Sequence, residues 1–457
     1  MTIYGTVRDS EARRAWWTVI WIRAITSVTA VADGYEMGVL GAAVVSLRKD
    51  LGLSATEVSL VVTSFAVGTI LGSGIFGQIA DTIGRVWTIL ATSICLALAC
   101  VIAGFTRSLI ILIVARAMMG AAAGGGIVTI SIYLAETSPK ASRGVMGSME
   151  EVFINLGIFV GSLWGKLLFD VTWHGFADWQ LMFLLGLVLP IVSAVAIGLG
   201  LLPESPRYLL LVGRREDAEA TLALLCPREE AQEALAAPRS AEAAMPWTEI
   251  INPTDPIHRR MLYAAYVVAF AFGASGVSAL ISYGPGLLAL TMPAETAVSV
   301  FVGLAFAKLV ATAVGSLWLV WAFSRRALLL GSVATMAVAS IGLTHGYFVG
   351  SAWMQIVAFA IYLVAFGCGI GPVAYLFIPE VLESTIRSKG ATFAFGVIRL
   401  MATAWLAVFP LIAAGLALMG LVAANVMSCV LIFFCTPETS GVVLEGVRDI
   451  FRKKGDV

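Results

Sequence analysis

The sequence predicts an all-α integral membrane protein with twelve transmembrane helices in two sets of six. Three observations carry that expectation. Of the 457 residues, 59% are hydrophobic and only 13% charged, against roughly 25% charged in soluble domains. With a mean hydropathy of +0.93, the chain needs lipid as its solvent. Twelve runs reach the roughly 20 apolar residues that cross a bilayer, and one hydrophilic stretch, 203–260, divides them into six and six.

The runs fall, in order, near 17–46, 58–80, 87–106, 109–134, 144–169 and 181–202, then 261–290, 296–323, 327–348, 353–378, 390–416 and 419–436. The 45 glycines suit spans packed backbone to backbone. This gives a first half over 1–202, a linker over 203–260, a second half over 261–436 and a tail over 437–457. Within the linker, the Ala/Glu-rich segments 216–225 and 229–244 read as short surface helices.

Lys and Arg set the orientation. Arg8, Arg13 and Arg14 precede the first span, Arg85 follows the second, and Lys140 and Arg143 separate the fourth and fifth. Arg207, Arg214, Arg215, Arg228, Arg239, Arg259 and Arg260 fill the linker; Arg325, Arg326, Arg387, Lys389 and the tail's Arg448, Arg452, Lys453 and Lys454 continue the alternation. Arg48, Lys49 and Arg107 dissent and are outnumbered, so both termini are expected in the cytoplasm. The six cysteines form no CxxC pair, so no disulfide or metal role is expected. A net charge of zero implies no bulk attraction to nucleic acid. His174, His258 and His345 are scattered, and no enzyme motif is present.

The loop after the second span reads Gly77-x-x-x-Asp81-x-x-Gly84-Arg85. An Asp and an Arg flanking a tight Gly turn can pair with neighbouring helix ends and lock two spans together. It is followed by Arg116-x-x-x-Gly120 with Gly124, Gly125 and Gly126, then Glu136-x-x-Pro139-x-x-x-Arg143-Gly144 and Pro203-Glu204-Ser205-Pro206-Arg207. The second half repeats the theme with Pro379-Glu380, Arg387-x-x-Gly390 and Pro437-Glu438-Thr439-x-Gly441.

Together these motifs resemble the sugar-porter, organic-ion and metabolite:proton symporter branches of the major facilitator superfamily, over nearly the whole chain. The resemblance implies two six-helix halves around a substrate site at the membrane midplane. It also implies that Asp81, Arg85, Glu136, Arg143, Glu204, Arg207, Glu380, Arg387 and Glu438 form a cytoplasmic gating network that holds the outward-facing state.

Sugar porters carry a Gln-Gln-x-x-Gly-x-Asn-x-x-x-Tyr-Tyr run in the seventh span, where this chain has Phe272-Gly273-Ala274-Ser275-Gly276-Val277-Ser278-Ala279-Leu280-Ile281-Ser282-Tyr283. The amides that bind sugar hydroxyls are missing. Glu151 replaces the fifth span's glutamine, and Tyr375 the tenth span's tryptophan. A conventional hexose is therefore disfavoured at this level.

Charges within a membrane are functional candidates. Counted from the nearest basic anchor, Glu151, Lys308 and Arg399 fall in the middle third of their spans; Asp33, Glu36, Glu150 and Arg116 are also deep. Asp33-Gly34-Tyr35-Glu36 resembles the Asp-Gly-aromatic-Asp run of aromatic-acid and sialate proton symporters. Glu36 falls where proton-coupled sugar porters keep an Asp that pairs with the fourth-span arginine, here Arg116. A carboxylate parted from its guanidinium takes up a proton, so this set reads as a coupling site; the competing reading is a permanent bridge between spans 1 and 4. Lys308 and Arg399 resemble the basic pair of organic-anion transporters, and such cations suit an anionic headgroup. Alternatively, each neutralises Glu150 or Glu151.

The expectation from sequence is thus a proton-coupled carrier of a small organic anion, a carboxylate or a zwitterion such as an amino acid, working by alternating access. Arg399, Lys308, Glu151, Tyr283, Tyr375, Phe272 and Ser278 would face substrate, and Glu36, Asp33 and Arg116 would carry the proton. Two alternatives stand: a proton-coupled sugar or polyol porter with an atypical pocket, and a non-transporting membrane sensor. No cofactor or metal is expected beyond the coupling proton. The protein is read as a monomer in a plasma or cell inner membrane, its partners the lipid bilayer and a small molecule.

Overall fold

A computed structural model describes residues 10–137, 143–225, 246–439 and 450–451. It is helical almost throughout, with twelve helices long and apolar enough to cross a membrane among the described residues. Span 1 (Ser10–Asp50), span 2 (Ala55–Ile83), span 3 (Arg85–Phe105), span 4 (Leu109–Thr137), span 5 (Arg143–Leu168) and span 6 (Asp178–Leu185 with Val188–Gly198) form the first half. The second half holds span 7 (Pro256–Ala274 with Val277–Leu288), span 8 (Ala294–Val314, the π-helical Gly315–Leu319 and Val320–Ala322) and span 9 (Arg325–Val349). Span 10 (Ala352–Cys368 with Ile370–Glu380), span 11 (Ser384–Val408) and span 12 (Ala414–Cys435) complete it.

The eleventh span ends eight residues before the sequence expectation and the twelfth begins five earlier, because Pro410 forces a turn after Val408. In the linker, Arg215–Leu225 forms the first expected surface helix, alongside the short helices Pro206–Leu211 and Trp247–Ile251. The second expected helix, 229–244, lies outside the described residues.

Small residues decide which spans meet. Spans 1 and 5 cross where Gly34 and Gly38 face the backbone of Ile154 and Ile158, and a Cβ built on Gly34 would sit 1.9 Å from the Ile154 carbonyl oxygen. No side chain fits there without parting the helices. Span 7 breaks at Gly276, whose left-handed φ of 70° suits glycine. The carbonyls freed by the break are taken up: Trp405 Nε1 donates to Ala274 O at 2.9 Å, and the Tyr362 hydroxyl donates to Ser275 O.

The face at which span 6 ends and span 7 begins is the terminal face. On the opposite, far face the halves touch. Gly41 packs against Ile281 and Pro285, and the Ser59 hydroxyl donates to Ala407 O at 2.8 Å.

Candidate functional site

The centre of the first half holds an ion pair with almost no contact with solvent. Arg116 Nη1 donates to Glu36 Oε2 at 2.8 Å, with side-chain exposures of 0% and 1%. The Phe65 and Phe183 rings flank the guanidinium at 4.7 and 5.5 Å, an arrangement that favours a desolvated cation. Cys100 Sγ donates weakly to the other Glu36 oxygen at 3.6 Å. Arg116 Nε and Nη2 have no hydrogen-bond partner, so this arginine is held through Nη1 alone, by Glu36 and, at 3.4 Å, by Met119 Sδ.

Asp33, one turn from Glu36, is also buried, and its Oδ1 finds no partner. It lies within Coulombic reach of Arg399 in the opposite half and of Glu151 and Arg116 in its own. Arg399 is half-buried midway along span 11, and its guanidinium makes no hydrogen bond or ion pair among the described residues. Beside it runs an aromatic wall: Tyr375 stacks on Phe395 at 5.4 Å and meets Phe272 edge-on at 5.7 Å. Ser278 is half-buried on the second segment of span 7.

Lys308 joins the halves at mid-membrane. Its Nζ donates to Asn155 Oδ1 and stands 3.8 Å from Glu151 Oε1 and 5.1 Å from the Phe366 ring centre. Asn155 Nδ2 in turn donates to Glu151 Oε1 at 3.0 Å and to Glu151 O at 2.7 Å. Glu150 accepts from the Ser131 hydroxyl at 3.2 Å and lies in the field of Arg23, which is buried over the Phe153 ring.

The sequence-predicted residues thus divide. Asp33, Glu36 and Arg116 come together, as do Lys308 and Glu151, and Arg399 faces the same region with Tyr375 and Phe272. Tyr283 is elsewhere: its hydroxyl donates to Leu406 O at 2.9 Å and its ring stacks on Phe409, knitting spans 7 and 11 near the far face. Asn155 and Arg23 were not anticipated. The signal for Asn155 was its spacing of four from Glu151, which places both on one helix face; that for Arg23 was a lone cation in an apolar run.

At the terminal face each half carries a charged cluster of its own. In the first, Arg85 pairs with Glu136 at 3.0 Å and Asp81 at 3.2 Å, while Glu204 accepts from the backbone N–H of Arg85 at 3.0 Å. Burial pushes the Glu204 carboxyl above the usual range, against the pull of the N–H groups of Ser205, Val86 and Arg85. In the second, Arg325 pairs with Glu380 at 3.4 Å, and Glu438 accepts from the N–H groups of Arg325 and Arg326 at 3.0 and 3.2 Å. Arg325, absent from the expected set, occupies the place that Arg85 holds in the first half. Arg387 Nε donates to Leu382 O at 3.0 Å. Arg207 is exposed and joins neither cluster, and the side chain of Arg143 lies outside the described residues.

The sequence matches the family described as "Sugar (and other) transporter" over residues 22–451. The chain belongs to that family of the major facilitator superfamily. It is similar to Polyol transporter 5 of Arabidopsis thaliana, 27% identical with 93% of this chain and 85% of that one covered. It is also similar to the glucose transporter GlcP of Staphylococcus epidermidis, 28% identical over 78% and 79% of the two chains. Among solved structures, the partially occluded inward-open xylose transporter XylE of E. coli matches with a TM-score of 0.79 over 93% of this chain and all of that one, at 18% identity. The protein is a membrane transporter and not an enzyme.

These findings overturn the organic-anion expectation. The curated relatives are polyol and sugar transporters, and the geometry gives the physical reason. The mid-membrane cations are matched by acids: Lys308 by Glu151, Arg399 by the field of Asp33 and Glu150, and Arg23 by that of Glu150. The basic pair read from sequence as an anion site therefore offers no surplus positive charge.

Proposed function

We propose that this protein is a proton-coupled porter of a polyol or neutral sugar. The observation that carries the reading is a buried Glu36–Arg116 pair at the centre of a chain whose curated relatives are named polyol and glucose transporters. A neutral polyol needs polar groups with unsatisfied bonding capacity beside an apolar surface for its C–H faces. Asp33 and Arg399 supply the first: a carboxylate and a guanidinium each take two adjacent hydroxyls. Tyr375, Phe272 and Phe395 supply the second, and Ser278 adds a neutral hydroxyl.

Coupling follows from the pair itself. While Arg116 holds Glu36, the carboxylate is charged; when movement of span 1 against span 4 parts them, the buried carboxyl takes a proton. Proton and substrate then cross together as the halves rock about the midplane. With the basic loops read as cytoplasmic, the far-face contacts at Gly41 and Ser59 correspond to an inward-facing arrangement. The terminal-face clusters order the spans of each half for that motion.

The test is uptake by the purified protein in liposomes. A panel of labelled linear polyols, cyclic polyols, pentoses and hexoses is measured with an acidic exterior. At least one is expected to accumulate and to be competed by its unlabelled form. If none enters while a carboxylate or amino acid does, the reading fails.

A further inference from the structure

We propose that Lys308, Asn155 and Glu151 form an ionic tether that holds the two halves together at the midplane through the transport cycle, and do not touch the transported molecule. The transport assays below rest on the reading just given, but the tether itself does not.

Span 5 belongs to the first half and span 8 to the second, so the Lys308–Asn155–Glu151 contact crosses the interface on which alternating access turns. The three residues are 2%, 1% and 7% exposed, which leaves little surface for a ligand. Most of their bonding capacity is also spent within the trio. Asn155 gives both its amide hydrogens and its oxygen within the trio, and the Lys308 ammonium is divided among Asn155, Glu151 and the Phe366 ring. The contact between the spans continues to either side. Phe159 meets Phe306 at 5.3 Å on the far-face side, and the π-helical Gly315–Leu319 packs against span 5 on the terminal-face side.

A rocking motion of the two halves displaces the midplane least, so a pair seated there can stay closed while the faces open and shut. It has strong reason to stay closed, because an unpartnered charge at this depth is costly and removing one member of a buried pair strands the other. The glutamate at position 151 and the lysine at 308 are therefore one feature, a charge placed in each half for the other. Each alone is a liability.

The experiment uses the full-length protein with Lys308→Met, Glu151→Gln and the two combined, reading the thermal unfolding midpoint together with Vmax and KM of polyol uptake. Each single change strands a charge and is expected to lower Vmax at least about tenfold, whereas the double change returns it to within about threefold of the unmodified protein with KM equally little changed. Recovery of folding in the double change, where the single changes do not fold, counts as the same rescue. If the double change is no better than the single ones, or raises KM about tenfold or more, the trio contacts substrate and the tether is wrong. Should the unmodified protein carry no polyol or sugar, only the functional reading falls. The tether then stands or falls on whether the double change melts above both single ones.

Discussion

Replacing Glu36 by glutamine removes one negative charge from the centre of the first half and leaves the shape of the side chain almost unchanged. Breaking a buried ion pair by removing one partner costs about 3–5 kcal/mol. Here the amide oxygen can still accept from Arg116 Nη1, and the Phe65 and Phe183 rings at 4.7 and 5.5 Å remain on the guanidinium. Those contacts offset about half of the loss, leaving roughly 2 kcal/mol. The variant is therefore expected to fold, with a lower thermal midpoint. Its transport changes in kind. One proton carried per substrate lets a difference of one pH unit, about 1.36 kcal/mol, support roughly tenfold accumulation. In liposomes with an exterior one unit more acidic, the unmodified protein should approach that ratio. Glu36→Gln should equalise substrate at a ratio near one while exchanging labelled for unlabelled substrate in the absence of a gradient. Accumulation by the variant at the unmodified level would refute the coupling role of Glu36.

Asp33→Asn and Arg399→Gln should each raise the KM for polyol uptake about ten- to a hundredfold, the weight of a hydrogen bond to a charged group, with smaller effects on Vmax; an unchanged KM in both would remove them from the pocket. Gly34→Ala places a Cβ 1.9 Å from Ile154 O where ordinary contact begins at 3.4 Å, so spans 1 and 5 must part by about 1.5 Å, at about 1–3 kcal/mol. A thermal midpoint equal to that of the unmodified protein would show that the helices do not cross so closely. Arg325→Gln should destabilise the second half's cluster as Arg85→Gln does the first's, with comparable losses of uptake. If Arg325 proved indifferent, its equivalence to Arg85 would be mistaken.

The twelve spans were legible because lipid imposes length and apolarity on each run separately, a local property. The Glu36–Arg116 pair was legible through the resemblance to proton-coupled sugar porters, which pair an acid of the first span with the fourth span's arginine; span 1 alone also offers Asp33. What escaped depends on contacts between distant spans. Lys308 had two neighbouring acids, Glu150 and Glu151, as candidate partners, and only the fold shows that Glu151 takes it while Glu150 turns to Ser131 and Arg23. Asn155 carries no charge and so drew no attention, although it is the direct acceptor from Lys308. The misreading of substrate class has the same root. Until the fold assigns each cation its acid, Lys308 and Arg399 read as readily as an anion site as they do as neutralised pairs. Arg325 was left out of the gating set because no aspartate precedes it as Asp81 precedes Arg85, yet Glu438 caps the same helix start that Glu204 caps in the first half.

The central claim, that a neutral polyol or sugar moves with a proton, is tested most directly by following pH as substrate is added. In weakly buffered medium outside liposomes containing the purified protein, addition of the transported polyol should make the medium more alkaline. The proton uptake should match the substrate taken up mole for mole, and Glu36→Gln should abolish it. Entry of the polyol with no proton movement would contradict the coupling, and a pH response to organic acids alone would contradict the substrate.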